Sequence, residues 1–168
     1  MMAIINKKKA RSWMDDNRII TPELVLIKPD VSTTKELLAL TAERLLKMNY
    51  VKSSFGKAVI KREENFPTGI RVGEINVAIP HTDAVHVNNP AIAMAILDTP
   101  IYFGEMGAGK DSKIPVSIVL NMAINDGNEQ VEFLRKIMSF IQDQEELKKV
   151  LRMIDKNEIA ELLNEKLM

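Results

Sequence analysis

The sequence predicts an α/β fold: a mixed, mostly central β-sheet of about five strands, flanked by helices on both faces, in a single domain. Three observations lead to this prediction. One strand-like run and two amphipathic segments open the chain, three or four strand-like runs occupy its middle, and beyond residue 125 the pattern is helical. With 168 residues, 46% of them hydrophobic, the chain can bury one sizeable core and shows no sign of a second.

The first part of the chain is predicted to form one strand and one long helix. Residues 23–28, ELVLIK, are a short apolar run between two prolines, which is typical of a strand. Thr33 and Glu36 have the spacing of a capping box, and apolar residues then recur every three or four positions. We therefore expect an amphipathic helix that runs to about Asn49.

A second, shorter helix is predicted to begin near Ser53 or Ser54. It should end before Pro67, because the residue that precedes a proline is disfavoured in the helical region. The segment Pro67, Thr68 and Gly69 then reads as a turn between helix and strand.

Strand patterns follow in the middle of the chain. Residues 75–79 and 91–97 are the clearest, and a weaker pattern at 101–103 leaves the number of strands open. Residues 116–124, VSIVLNMAI, are too continuously apolar for a half-exposed strand. They predict a central strand that is covered on both faces.

Three helices are predicted for the last part of the chain. Asp126 or Asn128 can cap the first of them, and Asn157 can cap the last. The residues predicted to face the core are Val131, Leu134, Ile137, Met138 and Ile141 in the first helix, and Leu147, Val150, Leu151 and Ile154 in the second.

Composition excludes several classes of function. Lysine plus arginine equals aspartate plus glutamate, at 23 each, so no global positive field favours nucleic acid. The absence of cysteine excludes disulfides, thiolate chemistry and cysteine-based zinc sites. No apolar run reaches the roughly 20 residues of a membrane span, so no direct membrane insertion is expected.

The start of the chain is predicted to be separate from the domain. Its basic cluster follows a very short apolar stretch, which is the wrong order for a secretory signal. We expect a basic N-terminal extension over residues 1–19, a single domain over 20–164, and a cytoplasmic location.

His81 is the main candidate for chemistry. Residues 76–79 read as an apolar strand, and Pro80 ends regular pairing because it lacks a backbone donor. A histidine at a strand end can be an ordinary hydrogen-bonded residue. It can also accept a phosphoryl group, if a backbone carbonyl fixes one ring nitrogen and leaves the other open.

Arg62, Thr68 and His86 are the nearby candidates. Arg62 could belong to a solvated helix face, or its planar fork could bind phosphate oxygens. Thr68 could be part of a plain turn, or its hydroxyl and backbone donors could face an anion. His86 lies five residues after His81, a spacing that fits no metal-ligand pattern, so no metal or cofactor is expected.

The segments KREENFPTGI and INVAIPHTDAVHV closely resemble the enzyme IIA domains of the fructose–mannitol class in the bacterial sugar phosphotransferase system. The PHTD form and the PTGI spacing look most like galactitol-type members. The likeness extends from about Ile20 to Leu163. It implies that His81 is the phosphoryl acceptor and Arg62 the arginine that faces the phosphate, in a mixed sheet flanked by helices.

The resemblance also implies partners. In that family the histidine takes a phosphoryl group from the phosphocarrier protein HPr and gives it to a cysteine on enzyme IIB, which serves the membrane enzyme IIC. The chain would then be a phosphotransferase subunit for uptake of a sugar or sugar alcohol. The alternative is a regulatory module of the same fold, of the nitrogen type, that acts by binding proteins.

One position departs from the mannitol-type pattern. Those members resemble NNEH where this chain has residues 127–130, so their second active-site histidine corresponds to Gln130. Gln130 can form hydrogen bonds but cannot carry a charge at neutral pH. The resemblance therefore leaves open whether Gln130 or His86 assists His81.

Overall fold

The computed structural model describes residues 18–125 and 130–168. Its centre is a five-stranded mixed sheet with the strand order β1-β4-β5-β3-β2. The elements are β1 (Val25–Ile27), α1 (Thr34–Lys47), α2 (Phe55–Asn65), β2 (Gly69–Ile70), β3 (Val77–Ala78), β4 (Ala91–Gly104), β5 (Lys113–Ala123), α3 (Gln130–Gln142), α4 (Gln144–Arg152) and α5 (Lys156–Leu167), with short 3-10 turns at Pro22–Leu24 and Ala84–His86.

The predicted fold class is confirmed. β1 is parallel to β4 and β3 is parallel to β5, whereas the pairs β4–β5 and β2–β3 are antiparallel. Neighbouring residues of β4, such as Met94 and Ala95, belong to two different apolar clusters, so both faces of the sheet are buried. None of the helices within the described ranges is long and apolar enough to cross a membrane.

The strand predictions are confirmed in type and corrected in detail. β5 is the central strand, as its continuous apolar run predicted. The runs 91–97 and 101–103 form one strand, β4, with a register shift between Ile96 and Ile101. Pro100 lies in that interval and lacks a backbone donor, which accounts for the break in the sequence pattern. β2 was predicted only as part of a turn, because two residues are too few to show an alternating pattern.

The predicted core stripe of α3 is partly wrong. Ile137 is buried as expected, but Val131 is 61% exposed and Leu134 is 39% exposed. Phe133 and Phe140, seven residues apart and therefore on one face, are buried instead. The helix is turned so that its two bulkiest apolar side chains face the core.

Two details of the last helices also differ from the prediction. Ile154 is 86% exposed, because α4 ends at Arg152 and leaves it in the connection to α5. The cap of α5 is Asp155 rather than Asn157, since the Asp155 carboxylate accepts from the backbone N–H of Asn157 at 2.8 Å. The proposed caps of α3, Asp126 and Asn128, lie outside the described residues.

The first described residues are held against the last helix. Of the predicted extension, residues 1–19, only the last two are described, and Ile19 and Ile20 are both buried. The side-chain oxygen of Asn164, in α5, accepts from the backbone N–H of Ile19 at 2.7 Å and of Ile20 at 3.1 Å. The side-chain amide of Asn164 donates to the carbonyl of Ile20 at 2.9 Å. One amide side chain therefore joins the two ends of the domain.

Candidate active site

His81 lies where β3 ends beside the central strand. Pro80 interrupts β3, but its carbonyl still accepts from the backbone N–H of Met122, in β5, at 2.8 Å. The backbone of His81 then pairs with Met122 in an isolated parallel bridge. The position of His81 is therefore fixed at the carboxyl ends of two adjacent parallel strands, where α/β proteins commonly place working residues.

The imidazole of His81 has one ring nitrogen engaged. Its Nδ1 lies 2.8 Å from the carbonyl oxygen of Ile79. A carbonyl oxygen can only accept, so Nδ1 must carry a proton and donate it. In the neutral ring, Nε2 then holds the lone pair. The ring is half-buried, and this arrangement is the one that a phosphoryl acceptor needs.

A cavity of about 630 Å³ brings three of the predicted residues together: His81, Arg62 and Thr68. The end of α2 and the residues that follow it form one part of the wall. The turn between β4 and β5, residues 105–110, forms another.

Arg62 reaches this cavity from the last turn of α2. Its guanidinium carbon lies 4.6 Å from the centroid of the Phe66 ring. Stacking on the ring holds one face of the guanidinium, while the N–H groups at its edge stay available for an anion. Arg62 is exposed, and the contact with Phe66 limits the positions that its guanidinium takes.

Both hydrogen-bond donors of Thr68 are engaged within the protein. It is buried, and its backbone N–H donates to Glu63 Oε1 at 2.8 Å while its hydroxyl donates to Glu63 Oε2, also at 2.8 Å. Both donors are thus taken up by a carboxylate and do not point freely to an anion.

Glu63 is the residue that sequence reasoning missed. It lies inside a charged run but is only 5% exposed. Burial raises the pKa of Glu63, and the two hydrogen bonds from Thr68 act in the opposite direction. The only hint in the sequence is its position five residues before Thr68, on the far side of Pro67.

The turn between β4 and β5 is tied to its surroundings. Glu105 accepts from the hydroxyl of Ser112 at 2.8 Å and from Arg71 Nε at 3.2 Å. These hydrogen bonds, from Ser112 first and then from Arg71, lower the pKa of Glu105. The backbone N–H of Met106 donates to the carbonyl of Gly69, in β2, at 2.8 Å. This wall of the cavity is therefore anchored to β2.

His86 and Gln130 do not line the cavity. His86 lies in a 3-10 turn, where its Nδ1 is 2.7 Å from the hydroxyl oxygen of Ser54. Gln130 is half-buried and is the first residue of α3. Within the described part of the chain, no group of three or more histidine, aspartate or glutamate side chains could hold a metal ion.

The histidine has one ring nitrogen open and shares a cavity with an arginine, and these are side chains that can carry and bind a phosphoryl group. The family pattern of the phosphoenolpyruvate-dependent sugar phosphotransferase system, EIIA 2, matches residues 18–166. The chain belongs to this family, and its role is phosphoryl transfer within that system. The resemblance to the fructose–mannitol class, and to galactitol-type members within it, is confirmed.

Three similar proteins illustrate the range of the family. The galactitol-specific EIIA component of Escherichia coli (strain K12) is 29% identical over 107 residues, which cover 64% of this chain and 70% of that protein. The transcriptional regulator ManR of Bacillus subtilis (strain 168) is 26% identical over 125 residues, 74% of this chain and 18% of the regulator. In structure, the Escherichia coli enzyme IIAMTL solved in complex with phosphorylated enzyme IIBMTL shares the fold, with a TM-score of 0.67, 21% identity, and coverage of 84% of this chain and 94% of that one.

Proposed function

We propose that this chain forms a phosphohistidine at His81, taking the phosphoryl group from HPr and passing it to enzyme IIB. The main support is the hydrogen bond between His81 Nδ1–H and the Ile79 carbonyl, at 2.8 Å, in a cavity shared with Arg62. Because Nδ1 is engaged, Nε2 is the nitrogen that accepts the phosphoryl group.

The transfer step requires no added base. The lone pair of His81 Nε2 attacks the phosphorus, the bond from phosphorus to the donor nitrogen breaks, and the donor imidazole recovers that electron pair. His81 keeps its proton on Nδ1 throughout, so the phosphorylated ring is cationic, and the Ile79 carbonyl stabilises that cation. Arg62 binds the phosphoryl oxygens with its fork while charge spreads over them. Catalysis is then mainly a matter of positioning and charge.

The onward step reverses the roles. Phosphorus leaves Nε2 for the thiolate of a cysteine on enzyme IIB, and His81 returns to its neutral form. Through IIB the phosphoryl group would serve the membrane enzyme IIC in uptake of a sugar or sugar alcohol, with the exchange taking place in the cytoplasm. The galactitol-specific relative and the IIA–IIB complex of the mannitol system support this choice of partners.

A regulatory role is the second candidate, and the match to part of ManR favours it. In that case the same phosphohistidine would form, but the phosphorylated and free forms would differ in binding to another protein. Transfer to a IIB cysteine distinguishes the two roles, because only the transport role requires it.

The proposal is tested by incubating the chain with phosphoenolpyruvate, enzyme I and HPr, and then measuring its intact mass. We expect one phosphoryl group, acid-labile and stable in base. His81→Ala should remain unlabelled, and His86→Ala, which removes the only other histidine, should still be labelled. Full labelling of His81→Ala would overturn the assignment. Purified IIB added afterwards should remove the label, and retention of the label would favour the regulatory role.

A further inference from the structure

Glu63 is a buried carboxylate whose two oxygens both serve one residue, Thr68. Oε1 accepts from its backbone N–H and Oε2 from its hydroxyl, each at 2.8 Å. Burying a carboxylate is costly, and an apolar side chain in the same place would usually stabilise the fold as well or better. The arrangement therefore calls for a reason other than stability.

Thr68 is in turn linked to the reacting histidine. Its carbonyl accepts from the backbone N–H of Ile79 at 3.3 Å, and the carbonyl of Ile79 accepts from His81 Nδ1 at 2.8 Å. The N–H and the carbonyl of each residue in this series belong to different peptide groups. The hydrogen bonds therefore fix the positions of the atoms, but they do not pass polarisation from one bond to the next. Each residue in the series places the next.

We propose that Glu63 is a positioning residue for phosphoryl transfer: through Thr68 and Ile79 it holds the carbonyl that keeps His81 in the Nδ1–H form with Nε2 open. This role rests on the function proposed above. Glu63 is also adjacent to Arg62 in the last turns of α2. The cation that binds the phosphoryl oxygens and the ring that accepts the phosphorus are thus both positioned from the same part of one helix.

The variants separate position from charge. In Glu63→Gln the amide oxygen can still accept from the Thr68 N–H, and the amide N–H can donate to the Thr68 hydroxyl. Glu63→Ala removes both contacts, and Thr68→Val removes only the hydroxyl contact. Thr41→Val is the matched control, because Thr41 is also fully buried and hydrogen-bonded, to Leu37 and Asn121, but is not in the series that reaches His81.

Two readouts are measured on each folded variant. One is the tautomer of His81, from ¹⁵N NMR of the unphosphorylated protein in a His86→Ala background that leaves a single histidine. The other is the single-turnover rate of transfer from phosphorylated HPr. In Thr68→Val, which loses one hydrogen bond, we expect a mixture of tautomers and a transfer rate lower by up to about tenfold. Glu63→Ala, which loses both hydrogen bonds, should show at least as large an effect. Glu63→Gln and Thr41→Val should keep the Nδ1–H form and the wild-type rate.

The outcomes distinguish a failure of the proposed function from a failure of the positioning role of Glu63. If the wild-type chain accepts no phosphoryl group, the proposed function fails, while the tautomer measurement still tests the positioning role. If the wild-type chain is labelled but Glu63→Ala and Thr68→Val keep its tautomer and its rate, Glu63 does not position His81. If Glu63→Ala fails to fold, Thr68→Val compared with Thr41→Val decides: equal effects in both would reduce Glu63 and Thr68 to a structural role and overturn the inference.

Discussion

Replacing Arg62 by lysine keeps the positive charge and removes the planar fork. The structure predicts a small change in stability. The guanidinium stacks on Phe66, a ring that is 62% exposed, and such contacts at exposed sites are worth about 0.5–1 kcal/mol. Lysine can keep part of this contact, so the melting midpoint should move by less than about 4 °C in a domain of this size.

The effect on transfer should be much larger. A hydrogen bond to a charged group contributes about 1.5–3 kcal/mol, and losing one of them in the transition state slows the reaction roughly 10- to 150-fold. We would measure transfer from phosphorylated HPr under single-turnover conditions, beside a melting curve for each variant.

Arg152→Lys is the matched control for this prediction. Arg152 is an exposed arginine in the last turn of α4, as Arg62 is in the last turn of α2, but it does not line the cavity. Its replacement should leave both the rate and the midpoint unchanged. If Arg62→Lys transferred at the wild-type rate while remaining folded, the guanidinium would have no part in binding the phosphoryl group.

Three further predictions follow from the cavity and its walls. Because burial raises the pKa of Glu63, ionising it costs folding free energy, so the stability of the wild type relative to Glu63→Gln should decrease as the pH rises above the ordinary glutamate value of 4.5. Urea midpoints of both proteins from about pH 4 to about pH 8 test this, and a constant difference would contradict it. Gly69→Ala should destabilise the domain by about 1–3 kcal/mol in urea, because the added Cβ would lie 2.6 Å from the carbonyl oxygen of Gly104. Stability equal to that of the wild type would show that β2 can move aside. Lys110 lines the cavity and forms no ion pair with a described residue, so Lys110→Ala should slow transfer a few-fold at low salt, and the difference should shrink as salt screens the charge. If the transfer rate did not change with the Lys110→Ala substitution or with the salt concentration, Lys110 would have no part in transfer.

The sequence predicted best those elements whose pattern is long. The mainly apolar run 116–124 identified the central strand. The spacing of Thr33 and Glu36 located a cap that the structure confirms, with the Thr33 hydroxyl accepting from Glu36 N–H at 3.2 Å. β2 has two residues, and it exists as a strand because β3 runs beside it. No local pattern encodes such a pairing.

The orientation of α3 was harder to predict because the helix is apolar on more than one side. Val131 and Leu134 recur at helical spacing, and so do Phe133 and Phe140. A period alone cannot choose between such stripes. The core selected the larger side chains, which bury more surface.

In the site, the sequence predicted His81, at the end of a strand, and Arg62, near the end of a helix. Both line the same cavity. Glu63 was missed because its neighbours in the chain are charged and exposed, which is typical of a solvated face. Its burial is caused by the chain turning back at Pro67 and bringing Thr68 against it. That contact depends on the tertiary path and not on the residue types within the helix.

Asn164 has a consequence for how such a domain can be combined with others. Because its side chain binds both Ile19 and Ile20, the polypeptide enters the domain and leaves it at nearly the same point. A domain whose entrance and exit are adjacent can be joined to another protein, or inserted into one, without any strand of its sheet being separated. Asn164 thereby keeps the entrance and the exit of the domain next to each other.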